Sequence, residues 1–348
     1  MKVHSKLPPT TPPTNNSQSS ATPFTDSNNE HPSNQTKLTN LPNDLIYNIL
    51  THIDNYTASS ILISCQTLRH PMNEIIKSTL GITEHPTAGQ IWVFLNFKEL
   101  LNMGFSKDQI KSIAPDALKT ALDDYNTDLP NSITDKLNPF LSGPGKSFNL
   151  NNENLTLGQL CKVIQLIKDS DKLSELEGLH LRVNPLTALP ESIGTLPALK
   201  TLDVSFNQLT KLPESIGTLP ALQQLKLSYN HLTALPESIG TLSALKGLGL
   251  SNNQLPALPQ SIWTLPALQW LDISDNQLTA LPESIGTLSA LKTLDVSFNQ
   301  LTELPDSFGT LPALQQLNLS FNQLPALPQS IGKLPARIMT LAIPVQPL

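Results

Sequence analysis

The sequence is poor in cysteine, in aromatic side chains and in charge. Charged residues make up 14% and aromatic residues 5% of the 348 positions, and the only cysteines are Cys65 and Cys161. Two cysteines that stand far apart cannot build a disulfide framework or, without other ligands, a zinc site. We therefore expect a reducing, cytoplasmic environment and no bound metal.

Basic residues are scarce as well. The chain has 22 Lys and Arg against 28 Asp and Glu, a net charge of −6 and an isoelectric point near 5.6. Nucleic acid is not an expected partner, because too few cations are available to neutralise its phosphates. No apolar run approaches the roughly 20 residues that cross a bilayer, and the opening residues lack the apolar segment of a secretory signal. A membrane is therefore not an expected partner either.

Patterns for catalysis and cofactor binding are missing. The seven histidines lack the spacing of metal ligands. Residues 142–148, SGPGKSF, end like a phosphate-binding loop, but Phe140 stands where that motif has glycine, and a helical pattern precedes it instead of a strand. We interpret this segment as a hinge, and both cysteines as small apolar residues of helices. The sequence thus predicts a protein that is not an enzyme and carries no cofactor.

Composition divides the chain into four segments. Residues 1–37 are rich in Pro, Ser, Thr and Asn, and we expect them to be disordered because they hold too few apolar side chains to offset the entropy of ordering. Residues 38–82 show short helical patterns. Residues 83–147 are also helical in pattern and are interpreted as a spacer, whereas residues 148–348 are repetitive.

The helical spacer carries start and stop signals of its own. Thr87 can cap a helix that Gly104 ends. Ser106 with Gln109 forms a capping box, which predicts one further helix over residues 107–125.

Seven consecutive units of 23 residues run from Ser174 to Leu334. Each follows the pattern LxxLxLxxNxLxxLPxxIGxL, in which LxxLxL predicts a short strand with inward leucines and LPxxIG predicts one helical turn. No single unit can cover its own apolar face, so the units must stack. The asparagine of the pattern recurs at Asn184, Asn207, Asn230, Asn253, Asn276, Asn299 and Asn322.

This pattern resembles the leucine-rich repeat family. The resemblance implies an α/β solenoid, a horseshoe whose parallel sheet lines the concave side, here preceded by a small all-α region and the disordered tail. It also implies that the recurrent asparagine hydrogen-bonds backbone groups at the bend. Residues 148–173, with Glu153 in place of the asparagine, are expected to form an N-terminal cap. Ile338, Leu341 and Ile343 fit a last strand after a one-residue insertion.

The resemblance places ligand binding on the concave side, on the strand residues between the leucines. In the fourth unit Gly247 and Gly249 should leave a bare patch that a side chain or peptide could enter. An aromatic residue and a charge flank the patch on each side, as in interface hot spots. Alternatively, the glycine pair is drift in a duplicated array. The predicted target-binding residues are Lys226, Tyr229, Gly247, Gly249, Trp270 and Asp272.

Two further features have open interpretations. The residue before each asparagine forms a column that is rich in aromatic side chains, and we interpret this column as packing rather than as a contact surface. Trp263 replaces a glycine that the other six units share at the same place. It is either an exposed second contact point or the sign of a rearranged turn.

A separate motif lies in LPNDLIYNILTHIDNYTASSILISCQTLR, residues 41–69. Its Leu-Pro start, the acid two residues later, the spaced aliphatic residues and the Ile-Asp end resemble the F-box, which docks substrate receptors onto the Skp adaptor of cullin-based ubiquitin ligases. Leu68 departs from the family, which often has Trp there. The resemblance implies that the adaptor is bound by Leu41, Pro42, Leu45, Ile46 and Ile49. Alternatively, these helices form an ordinary cap that packs on its neighbours.

The combination of an F-box-like motif, a spacer and leucine-rich repeats predicts a monomeric adaptor protein. It would hold a target on the concave face for ubiquitination by a Skp–cullin ligase. The uniform repeats also resemble those of effectors that intracellular bacteria deliver into host cells, which would place the protein in the host cytosol. The alternative is a binding module or inhibitor with no link to ubiquitin ligases.

Overall fold

A computed structural model of the chain describes residues 97–334 and 340–342, together with the single positions Ile76, Lys77, Leu80, Gln90 and Val93. The tail at residues 1–37 and the F-box-like motif at residues 41–69 lie outside the described residues.

The repeats form one parallel sheet of nine strands that follow each other in chain order. Neighbouring strands pair one repeat apart, so that Gly178 lies opposite Thr201 and Leu179 opposite Leu202. This register follows from the 23-residue period, and the α/β solenoid predicted from the pattern is confirmed. The strands are β1 (Ser147–Asn149), β2 (Gly178–His180), β3 (Thr201–Asp203), β4 (Gln224–Lys226), β5 (Gly247–Gly249), β6 (Trp270–Asp272), β7 (Thr293–Asp295), β8 (Gln316–Asn318) and β9 (Thr340–Ala342).

Each full repeat returns through a short 3-10 helix on the side away from the sheet. A proline precedes every one of these helices in an extended conformation, for example Pro213 with φ −70° and ψ 150°. Its fixed φ and missing N–H suit a helix start. The helical turns that the LPxxIG pattern predicts are therefore confirmed. They span Glu191–Thr195, Glu214–Thr218, Glu237–Thr241, Gln260–Thr264, Glu283–Thr287, Asp306–Thr310 and Gln329–Lys333.

The leucines of all the described repeats form one continuous core. In the second unit Leu199, Leu202, Val204 and Ile216 are completely buried, and each packs between the equivalent side chains of the units before and after it. Stability in such an array comes from neighbouring repeats, because one unit alone cannot cover its own apolar face.

The recurrent asparagines link each repeat to the preceding one. Asn230 donates its side-chain amide to the carbonyl oxygens of Val204, at 3.0 Å, and Leu227, at 2.9 Å. Its side-chain oxygen accepts the backbone N–H of Leu209 at 3.0 Å. The buried N–H of Leu209 has Asn230 as its partner, whereas the carbonyl oxygens of Val204 and Leu227 also accept from the side-chain amides of Asn207 and Asn253, each at 3.0 Å. The bonding role that the family resemblance implies for the asparagine is confirmed.

Within residues 97–334, five α-helices lie before β1 or between β1 and β2. The predicted capping box holds, with Gln109 N–H donating to Ser106 Oγ at 3.1 Å. The single helix expected over residues 107–125 is, however, two helices, because Ile113 is extended and Pro115 begins a new helix. The helices are α1 (Phe97–Asn102), α2 (Lys107–Ser112), α3 (Pro115–Asn126), α4 (Asn131–Ser142) and α5 (Leu157–Lys168).

These helices pack on the first repeats and are not a free spacer. Side chains of α4 join the repeat core, and the ring of Phe140 stacks on Phe148 of β1 with a centroid distance of 5.5 Å. Gln109 of α2 donates to the carbonyl oxygen of Leu189 at 2.7 Å and accepts the N–H of Glu191 at 3.1 Å. The boundary expected at residue 147 therefore cuts through a shared core.

A second apolar cluster lies between α1, α2, α3 and α5. It includes Ile76, Leu80 and Val93, all buried, together with Leu118 of α3 and Cys161 of α5. Ile76 and Leu80, which follow the F-box-like motif within the predicted segment 38–82, thus share a core with the helices that dock on the repeats, across the boundary expected at residue 82. No helix in the described part of the chain has the length and apolarity needed to span a membrane.

Replacing Asn230 by alanine should lower the free energy of unfolding by about 1–3 kcal/mol, since it leaves the buried N–H of Leu209 without a partner and removes one of the two amide donors of the Val204 and Leu227 carbonyls. Urea denaturation followed by circular dichroism measures the change. Asn138→Ala on the exposed face of α4 is the matched control and should have little effect. Equal stability of the two variants would show that the asparagines do not hold the repeats together.

Candidate protein-binding face

The predicted concave residues project from the outer face of the sheet. The central leucine of each strand from β2 to β8 is buried, whereas the residues on either side of it face away from the core, as Gln224 and Lys226 do around Leu225. The strand register aligns Lys226, Gly249 and Asp272 on β4, β5 and β6. At a strand spacing of about 4.8 Å, the α-carbons of Lys226 and Asp272 lie about 10 Å apart.

The glycine pair of β5 does not form the open patch expected from the sequence. A Cβ placed on Gly249 would lie 2.9 Å from Cη2 of Trp270, and one on Gly247 would lie 2.2 Å from Oε1 of Gln224. Both glycines are buried. Because Gly247 and Gly249 have no side chains, the amide of Gln224 and the indole of Trp270 can lie over β5.

Trp270 and Asp272 remain accessible on this face. Both are half-buried, and Asp272 accepts hydrogen bonds from the N–H of Ser274 at 3.1 Å and its Oγ at 2.6 Å. Lys226 is exposed. Four of the six predicted target-binding residues thus have accessible side chains, while Gly249 makes room for the indole of Trp270 and Gly247 makes room for the amide of Gln224.

The column before the asparagines is a surface feature, so the interpretation of it as packing is wrong. All seven of its residues have a left-handed backbone with φ between 51° and 58°. This conformation turns the chain away from the end of the strand and leaves the side chain pointing outward, while the next residue, the asparagine, enters the core. We call this column the rim; it consists of Val183, Phe206, Tyr229, Asn252, Asp275, Phe298 and Phe321.

The aromatic residues of the rim stack in two pairs. Phe206 and Tyr229 lie with ring centroids 4.2 Å apart and planes 11° apart, and Phe298 and Phe321 have the same centroid distance at 14°. The guanidinium of Arg182 lies 4.6 Å from the ring centroid of Phe206, within the range of a cation–π contact. The rings are nevertheless 39% to 66% exposed, with Phe321 the most exposed.

Charge differs between the two halves of the face. The first half carries Arg182 and Lys226. In the second half, Asp272, Asp275 and Asp295 stand on the strands and the rim, and no Lys, Arg or His occupies the concave or rim positions of residues 270–321. Among the described residues, none of these three aspartates takes part in an ion pair. The second half is therefore an acidic surface bounded by exposed rings.

Two residues considered from the sequence are part of the core. Trp263 is 1% exposed and its turn keeps the 3-10 form of the others, so it is neither an exposed contact nor a rearranged turn. Its indole N–H has no hydrogen-bond partner. Cys161 is buried in α5, and burial raises the pKa of its thiol far above the usual range, which disfavours a nucleophilic role. Among the described residues no group of acidic, His and Cys side chains could hold a metal ion.

The chain belongs to the leucine-rich repeat family. The family profile described as a leucine-rich repeat region matches residues 155–248, 216–296 and 257–342, which together cover more than half of the sequence. Members of this family generally serve as scaffolds for binding. No curated protein matches the chain at a significant level.

Several solved structures are similar to the chain. A leucine-rich repeat protein of Leptospira interrogans is 29% identical over 62% of this chain and 64% of its own, with a TM-score of 0.48. The chain thus spans less than two thirds of that protein. Internalin C2 of Listeria monocytogenes is 21% identical over 61% of this chain and 93% of its own, with a TM-score of 0.52, a likeness of fold.

A plant receptor is also similar over part of the chain. The ectodomain of the Arabidopsis thaliana receptor kinase GASSHO1/SCHENGEN3, solved in complex with CASPARIAN STRIP INTEGRITY FACTOR 2, is 34% identical over 52% of this chain and 22% of its own, with a TM-score of 0.45.

Gly249→Ala should displace the indole of Trp270, because the new methyl group would overlap the ring edge. We expect a loss of about 1–3 kcal/mol in the free energy of unfolding and a shifted Trp270 resonance in the ¹⁹F spectrum of 5-fluorotryptophan-labelled protein, assigned with Trp270→Phe. Gly332→Ala is the control, since nothing lies within 4 Å of a Cβ there. An unchanged Trp270 resonance in Gly249→Ala would contradict the seating of the ring on β5.

Proposed function

We propose that the protein is a non-catalytic receptor that binds a target protein on its concave face and rim. The observation that carries this proposal is the combination of exposed rings, accessible Trp270 and Asp272, and an acidic half-face on one rigid sheet. Exposed aromatic residues beside polar groups are the usual composition of binding hot spots. No covalent step is assigned to any residue of the chain.

We further propose that the F-box-like motif couples the bound target to a Skp-type adaptor of a cullin ubiquitin ligase. This finer part rests on the sequence resemblance at Leu41, Pro42, Leu45, Ile46 and Ile49. The burial of Ile76 and Leu80 against the docked helices supports it indirectly. A segment whose end is anchored in that cluster would hold an adaptor at a fixed place relative to the repeats, as transfer of ubiquitin to a bound target requires.

The site of action follows from this proposal. A protein that works through a Skp–cullin ligase acts in the cytosol of a eukaryotic cell, and a bacterial chain of this kind would reach it as an effector delivered into the host. The second candidate function is a binding module or inhibitor whose first helices serve only its own core. The packing of Ile76, Leu80 and Val93 into the helical cluster supports this second function to the same degree.

Binding of the full chain to a purified eukaryotic Skp–cullin adaptor, measured by calorimetry, separates the two functions. Leu45→Asp should abolish the heat of binding while leaving the circular dichroism spectrum and the melting temperature of the repeats unchanged, because an aspartate cannot enter an apolar adaptor groove. Leu166→Asp, at an exposed leucine of α5, is the control and should bind like the parent.

Absence of binding by the folded parent chain would leave the binding module as the function. Unfolding of the Leu45→Asp variant, with retained folding of Leu166→Asp, would instead place Leu45 in the protein's own core.

A further inference from the structure

The rim has a spacing and a charge that define the kind of segment it can bind. The two stacked pairs are four repeats apart, which at a strand spacing of about 4.8 Å corresponds to about 19 Å along the solenoid. Between them the rim is polar, with Asn252 donating a hydrogen bond to the carboxylate of Asp275. The rim is thus two apolar contact points separated by an acidic stretch.

Stacking within each pair covers one face of each ring, and Arg182 covers part of Phe206, yet much of each ring stays exposed to water. Phe298 and Phe321 are 52% and 66% exposed. Exposed aromatic rings are enriched at the energetically important positions of protein interfaces. The left-handed backbone that directs these rings outward is also energetically unfavourable for bulky side chains.

The negative charge next to the second pair identifies the complementary chemistry. Asp275 lies on the rim itself and is exposed, and Asp272 and Asp295 stand on the neighbouring strands. The carboxylates of Asp272 and Asp295 accept hydrogen bonds from Ser274 and Ser297, which fixes their orientation on the face. Lysine or arginine side chains of a partner could form ion pairs with these three carboxylates, because none of the three is paired with a Lys, Arg or His among the described residues.

The shape of the rim favours an extended chain. It is a single row of side chains along one edge of the sheet, whereas a helix about 10–12 Å across needs a groove. At about 3.3 Å per residue, an extended chain covers the distance between the two pairs in about six residues. Because this number is even, both anchor side chains project from the same side of the extended segment.

We infer that the rim binds an extended, basic segment of the target protein, with two aromatic or large aliphatic side chains six residues apart and Lys or Arg between them. The anchors contact the Phe206–Tyr229 and Phe298–Phe321 pairs, and the basic side chains face Asp272, Asp275 and Asp295. This inference rests on the target-binding half of the proposed function and is independent of its adaptor half.

Synthetic 13-residue peptides test the inference on the full chain by fluorescence anisotropy. The probe has tryptophan at its fourth and tenth positions and lysine at its sixth and eighth, in an otherwise Ser/Thr background. One matched peptide moves the second tryptophan to the ninth position, which places the anchors on opposite sides. Another replaces both lysines by glutamate. The first probe should bind at least about tenfold more tightly than either matched peptide, and higher salt should weaken it.

The protein variants locate the binding. Phe298→Asn with Phe321→Asn removes one pair, and asparagine suits the left-handed backbone because Asn252 occupies the same place. This double variant should lose affinity for the probe by about tenfold or more, and Asp275→Asn should reduce the salt dependence. Leu166→Ser, which changes an exposed apolar residue away from the rim, should bind like the parent, as should Leu45→Asp.

Each of the following outcomes would overturn the inference. Equal binding of the three peptides, or unchanged binding by the double variant, would show that the rim is not the binding site. If Trp270→Ser alone lost binding, the target would be bound on the strands instead. A rim-dependent dimer in sedimentation, without peptide binding, would make a second copy of the chain the occupant. Rim-dependent binding to phosphatidylcholine vesicles, again without peptide binding, would make it a membrane surface. In each case a retained adaptor interaction would keep the adaptor half of the proposed function.

Discussion

The side chain of one asparagine per repeat satisfies backbone groups that the bend after each strand would otherwise bury without partners. Asn230 accepts the N–H of Leu209, and it shares the carbonyl oxygens of Val204 and Leu227 with the asparagines of the preceding and following units. Because an unpaired buried backbone group costs about as much as a lost hydrogen bond, the stacking of the units depends on this residue. It also requires a sharp turn immediately before it, which the left-handed residue of the rim provides.

This constraint connects the core with the surface. The turn that directs the asparagine inward directs the preceding side chain outward, so every repeat places one variable side chain on the same edge of the sheet. Phe206, Tyr229, Phe298 and Phe321 stack because the strand spacing brings equivalent positions to 4.2 Å between ring centroids. The same regularity aligns the strand residues of the concave face, so that a partner meets a rigid, preformed surface.

The helices before the repeats show where local patterns are insufficient. The capping box at Ser106 follows from the sequence, yet the pattern did not reveal that α4 enters the repeat core or that Ile76 and Leu80 pack with α3 and α5. An amphipathic helix shows that one face is buried but does not show against what. A spacer and a docked cap are therefore indistinguishable until their neighbours are known.

The sequence by itself determined the repeat length, the strands and the helical turns, because each is a local consequence of a strict 23-residue pattern, and the family resemblance implied the bonding role of the asparagine. Tertiary structure decided which variable side chains are exposed. The glycines of β5 are covered by Trp270, which reaches across from the next strand, and Trp263 is enclosed between adjacent turns. Both arrangements depend on contacts between repeats. The outward direction of the rim side chains depends instead on a left-handed backbone conformation, which an aromatic residue in the sequence does not indicate.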